Sequence, residues 1–180
     1  MRASNASYWY PTQVSASPIA SSRNVAVTNL GIVGQTGEDM LANHVDVDAT
    51  WVDGKQNILI AWEITNSVRG GDTPSQAVAA IASYCAAVKL VHPWKIAVIT
   101  VIPRYQTIVG DAENQANVDL LNLKLNQANE LLISGYRAYA DYLIDMRYPG
   151  SPWNLPDYSD ASFSACGLFS PLDPPHWVHP

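Results

Sequence analysis

Asp173-Pro174-Pro175-His176 places a carboxylate three residues ahead of an imidazole, after a long stretch rich in Pro, Ser and Gly. A carboxylate so placed can hold one tautomer of the imidazole and favour its protonated form, which is what a general base near neutral pH requires. Such a base needs a nucleophile and donors for a developing oxyanion. The chain offers Ser4 or Ser7 near its start, Gly31 and Gly34 after a first candidate strand, and Asn66 after a second. A plainer account of the same residues stays open. Asp173 and His176 could be turn residues around two prolines, Ser4 a polar residue in a frayed terminus, Gly34 a tight turn, and Asn66 a cap on the loop before Gly70-Gly71.

Strands and helices must bring these residues together. Val25-Ala26-Val27 predicts a short strand over 24–28, and the continuous apolar run from Asn57 to Trp62 predicts a parallel strand covered on both faces. Lys95 to Ile102 is the strongest strand, ended by Pro103, and Ala140 to Asp145 is a fourth. Thr73-Pro74-Ser75-Gln76 carries an N-cap, a proline at the first helical position and a capping-box Gln, which starts a helix running to about Leu90. Residues 111–134 predict a long helix with Leu121, Leu125 and Leu132 on its apolar side, Asn114, Asp119 and Lys124 in solvent, and Gly135 as its stop. A shorter helix is expected from Glu38 to about Val47. Strand and helix alternate, so the expected architecture is α/β, a three-layer α/β/α sandwich around a mostly parallel sheet. Ligand sites in such folds lie beyond the carboxyl ends of strands, where Gly31, Gly34, Asn66 and Arg104 fall.

Composition narrows the function. The 180 residues suit one domain with a core of its own, and 48% hydrophobic against 14% charged residues excludes disorder. With 10 Lys and Arg against 16 Asp and Glu, the net charge of -6 disfavours nucleic acid and anionic membranes as partners. The two cysteines, Cys85 and Cys166, define no disulfide framework and are expected as free thiols. No CxxC or HExxH spacing points to a metal. The start has no signal-peptide pattern, and no apolar run has the length of a membrane span, although a mature or excised portion of a secreted protein fits equally well.

The pattern of blocks resembles the SGNH hydrolases, the Gly-Asp-Ser-Leu esterase and lipase superfamily, with a flavodoxin-like α/β/α fold. Arg2-Ala3-Ser4-Asn5-Ala6 stands where that family has Gly-Asp-Ser, with Ser4 at the serine and the preceding Gly and Asp absent. Asn29-Leu30-Gly31-Ile32-Val33-Gly34 meets the second block, Asn-x-Gly-x-x-Gly, in full. Ile64-Thr65-Asn66-Ser67 keeps the Asn of the third block, Gly-x-Asn-Asp, without its flanking Gly and Asp, and Asp173 with His176 meets the fourth, Asp-x-x-His. Relative to the family, the first strand and the closing helix are expected to be missing.

The resemblance implies a serine esterase. Ser4 attacks an acyl carbonyl as His176 takes its proton, Asp173 orients His176, and the Gly34 N–H and Asn66 side chain stabilise the oxyanion. It needs no cofactor and no metal. Small acyl esters are the expected substrate, O-acetyl groups on carbohydrate before lipids because no long apolar lid is evident. Trp9, Trp153 and Trp177 would suit a sugar ring, and equally could close the core. The alternative is an inactive descendant acting as a binding or structural module, glycan-binding among the options.

Overall fold

The structure is a computed structural model that describes residues 22–102 and 115–146. The chain divides into two units, residues 1–32 and 33–180. In the first, the strand expected over 24–28 does not form: 25–30 follow no regular element. Three apolar residues are too few to hold one, and Asn24 at φ 53 turns the backbone out of the extended region at its start. Val25 is 47% exposed, so it anchors nothing.

The second unit is α/β. Its elements run α1 (Gly37–Ala42), α2 (Val45–Asp48), β1 (Ile58–Ala61), α3 (Thr65–Arg69), α4 (Pro74–Val91), β2 (Lys95–Ile99), α5 (Gln115–Gly135), a 3-10 turn (Tyr136–Ala138) and β3 (Tyr142–Ile144). The strands form a parallel sheet in the order β1-β2-β3. Leu59 pairs with Ile96, Ala61 with Val98, and Val98 in turn with Leu143. Two crossovers of one hand that advance in one direction leave their helices on the same face, and α4 indeed packs on α5. That face is the core: Ile81 and Val88 from α4, Leu125 and Leu132 from α5, and Ile96 and Val98 from β2 are all almost inaccessible. Each such burial contributes roughly 1.5–3 kcal/mol. On the other face Ala97 and Ile99 are also buried, whereas Ile58 and Ile60 remain 53% and 43% exposed. The expectation that the β1 run is covered on both faces therefore fails among the described residues.

The helix starts follow the sequence closely where a cap is written. Thr73 accepts the Gln76 N–H while Gln76 accepts the Thr73 N–H, a complete capping box with Pro74 at the first position. By length and mean hydropathy α4 could cross a bilayer, yet Ala77, Ile81, Tyr84, Cys85 and Val88 spend its apolar side on the core. Cys85 is a free thiol there, and burial pushes it up to about 12. The single helix expected from Glu38 to Val47 is two. Asp39 O keeps the Asn43 N–H and also takes its side-chain amide, whereas Leu41 O, which a continuing helix would offer to the Val45 N–H, goes to the His44 ring and N–H, so the helix breaks there.

Gly37 is a packing residue. A Cβ there would stand 2.9 Å from the Ala80 Cβ, so only hydrogen lets α1 lie against α4. Gly37→Ala is expected to destabilise by about 1–3 kcal/mol, read as a lower urea midpoint at unchanged slope.

Polar ties fix the strand ends. At the amino ends, Asp141 accepts the Ile96 N–H at 3.0 Å and pairs with Lys89 and Lys95, each at 2.9 Å. The Ile96 N–H and the two ammonium groups hold its carboxyl far below the usual 3.8. A depressed carboxyl stabilises fully above its unfolded value and ceases to do so as pH falls through the folded one. Asp141→Asn keeps an acceptor oxygen for the Ile96 N–H but loses its charge, so it should lower stability at pH 7 by about 0.5–2 kcal/mol, the difference between a charge-assisted and a neutral bond, read as a lower Tm. The gap from wild type should begin to narrow below about pH 4 and close only as pH falls through the much lower value of the folded carboxyl. At the carboxyl ends, Thr100 joins β2 to β3: its N–H donates to Ile144 O, and its hydroxyl bonds Asp145 and accepts the Met146 N–H. Asn129, 1% exposed in α5, takes both backbone groups of Val101, accepting its N–H at 2.8 Å and donating to its carbonyl at 2.9 Å.

Candidate functional site

Of the residues singled out for chemistry, Gly31, Gly34 and Asn66 are described; Ser4, Ser7, Asp173 and His176 lie outside the described residues, as do Arg104, Cys166, Trp9, Trp153 and Trp177. Gly34 opens the turn that leads into α1. Its φ is 78, the left-handed region that glycine enters without strain, and a Cβ there would meet nothing within 4 Å. Backbone conformation thus explains this glycine, and crowding does not. Gly31 instead gives its N–H to the Asn29 side chain at 3.0 Å.

Asn66 sits in the first turn of α3, just past the carboxyl end of β1. Its side chain does not cap the loop before Gly70-Gly71. It reaches back 31 positions and donates Nδ2 to Gln35 O at 3.0 Å. Gln35 immediately follows Gly34, so the second and third blocks meet at one edge of the sheet. A primary amide nitrogen carries two protons, and this bond uses one of them.

Beneath lies a layer that the block pattern did not reveal. Glu63, 9% exposed, accepts the N–H of Asn66 at 2.7 Å and of Ser67 at 3.2 Å on Oε1, and the Ser67 hydroxyl at 2.9 Å on Oε2. The Ser67 oxygen in turn accepts the Gly37 N–H at 3.1 Å. Burial raises the Glu63 carboxyl above its ordinary value, although the bonds from Ser67, Asn66 and Gly37 pull the other way. The legible signal was spacing: a carboxylate just before a short helix, with donors three and four residues on, is a capping arrangement turned inward. Ser67 occupies the position at which the third block has Asp.

The first turn of α1 is closed by the protein itself. Thr36 and Asp39 make a reciprocal capping box, and three hydrogen bonds from the Thr36 N–H, Thr36 hydroxyl and Asp39 N–H satisfy the group. The amino-terminal dipole of this helix is therefore directed at its own cap. His92 stacks on Trp51 at 4.7 Å with 6° between planes, and Trp94 meets Trp51 edge-on at 5.2 Å. These rings flank the amino ends of the strands, opposite the Asn66 edge, and their work is packing. Among the described residues no group of three His, Cys, Asp or Glu side chains is placed to hold a metal ion.

By sequence alone the chain matches no protein-family model and no curated relative. By structure it is similar to a member of the lipolytic protein G-D-S-L family from Veillonella parvula DSM 2008, with a TM-score of 0.59 over 78% of this chain and 68% of that one, at 17% identity. The likeness is one of fold. The α/β architecture with its parallel sheet is thus an SGNH-like fold, as the blocks implied.

Proposed function

We propose that the protein is a serine esterase of small acyl esters, O-acetyl groups on carbohydrate included, working through an acyl-serine intermediate. The observation that carries this reading is the Asn66 side chain, held on the carbonyl next to Gly34 at the carboxyl edge of the sheet. A backbone N–H and a side-chain amide brought to one turn can receive the charge that appears on a carbonyl oxygen under attack. The G-D-S-L likeness of the fold supports the same reaction class.

In this reading Ser4 is the nucleophile, with Ser7 as its substitute. Its oxygen bonds to the acyl carbon as His176 takes the proton, and Asp173 keeps His176 in the tautomer that accepts it. Collapse of the tetrahedral intermediate expels the alcohol, which leaves with the proton from His176. Water, deprotonated by the same imidazole, then releases the acid and regenerates the serine. Gly34 and Asn66 hold the oxyanion in both halves.

Turnover of p-nitrophenyl acetate and release of acetate from an acetylated xylan test the reading together. Hydrolysis of both supports it. A folded protein that hydrolyses neither, yet binds the glycan saturably in calorimetry, supports instead a non-catalytic module on the same scaffold.

A further inference from the structure

Two ties join the Gly34 turn to α3, and Glu63 organises the elements at both. The first is the Asn66 side chain on Gln35 O; the Asn66 backbone N–H that aims this side chain rests on Glu63 Oε1. The second runs from the Gly37 N–H to the Ser67 oxygen and on to Glu63 Oε2. Both carboxylate oxygens are occupied, each by a group that leads back to the turn.

The chemistry of the chain of bonds fixes its direction. Ser67 accepts from Gly37, so its one proton must go elsewhere, and a carboxylate is the acceptor that takes it without competition. Glu63 Oε1 faces two backbone N–H groups and can only accept. A glutamine there satisfies one half at most. With its oxygen toward the N–H pair, its NH2 faces Ser67 and leaves the hydroxyl proton without its acceptor. With the groups exchanged, donors face donors at Asn66 and Ser67. The Ser67 hydroxyl is itself 1% exposed and bonded on both sides, so it is not a nucleophile.

We propose that Glu63, acting through Ser67 and the Asn66 backbone, is the positioning residue of the oxyanion site, holding the Gly34 turn and the Asn66 amide in one geometry. The proposal rests on the esterase reading above and adds a residue that touches no substrate. An isosteric neutral residue removes the alignment at the cost of one unmet buried donor, about 1–3 kcal/mol, which leaves the protein folded while the turn and the amide lose their common anchor. That separates positioning from a merely structural role.

The test uses the full chain as wild type, Glu63→Gln and Ser67→Ala. Each is measured for kcat and KM on p-nitrophenyl acetate, for Tm at pH 7, and by amide exchange at Gly37 with the side-chain amide resonance of Asn66. A misplacement on the order of 1 Å costs about 100-fold, so Glu63→Gln should lower kcat by about 10- to 100-fold with KM changed less than about threefold. Its Tm should fall by about 3–10 °C, leaving it folded at about 25 °C, the Gly37 amide should exchange faster, and the Asn66 resonance should move. Wild-type kcat in both variants overturns the proposal, as does a fall in kcat that only tracks a fall in Tm. If wild type hydrolyses nothing, the esterase reading fails and the resonances decide: unchanged Gly37 exchange and an unmoved Asn66 amide in Glu63→Gln overturn the positioning role, and changes in both uphold it.

Discussion

Asn66→Ala is expected to lower kcat on a small acyl ester by about 100- to 1,000-fold, roughly 3–4 kcal/mol of transition-state stabilisation, with KM nearly unchanged. The amide Nδ2 sits 3.0 Å from Gln35 O, on the turn that begins at Gly34. A donor fixed in that way before substrate arrives need not reorganise when charge develops, and it strengthens most in the transition state. The variant also loses a part-buried hydrogen bond to Gln35, worth about 1 kcal/mol, too little to unfold the protein. Separate determinations of kcat and KM check the claim. A rise in KM with kcat intact would mean that Asn66 binds the ground state and the transition state equally, and so adds nothing specific to the oxyanion.

The second large effect concerns the scaffold. Asn129→Leu keeps the branching and heavy-atom count of a buried side chain while orphaning both the N–H and the C=O of Val101, which Asn129 holds at 2.8 and 2.9 Å. Each orphaned group costs about 1–3 kcal/mol, so a loss of about 2–5 kcal/mol and a Tm lower by about 5–15 °C are expected. The same replacement three residues earlier, Asn126→Leu, falls on an exposed position and should change stability by less than about 0.5 kcal/mol. Parallel thermal melts of the two variants check the contrast. Val101 lies two residues past the end of β2, so this amide also fixes the path of the chain as it leaves the carboxyl end of the central strand.

These two asparagines show what a sequence discloses and what it hides. Thr73-Pro74-Ser75-Gln76 announced α4 because a capping box is local: its partners lie within one turn. The runs at Ile58 and Ile96 were legible as parallel strands because period and β-branched content are local as well. Asn129 was not legible, since a polar residue inside a long helix reads as solvated until the strand it faces is known. Gly37 reads as a turn glycine, and only the 2.9 Å approach of Ala80 makes it a contact between helices. Glu63 follows an apolar strand, where a charge normally marks the return to solvent. Its partners at positions 66 and 67 are near in sequence, but burial and the link to Gly37 come from tertiary packing. The strand expected at Val25 failed for the opposite reason: three apolar residues satisfied the local pattern without a partner to pair with among the described residues. Of the candidate site, the Asn66 side chain bonds the carbonyl of Gln35, the residue after Gly34, while Ser4, Asp173 and His176 lie outside the described residues.

The esterase account turns on one covalent event. Incubating the folded full chain with a fluorophosphonate probe and mapping the adduct by mass spectrometry tests it most directly, because the probe traps a serine only where a base and an oxyanion site serve it. The account expects one adduct per chain on Ser4 or Ser7, lost in His176→Ala and strongly slowed in Asn66→Ala. A folded chain that takes up no probe, or one labelled equally well with both serines replaced by alanine, contradicts it.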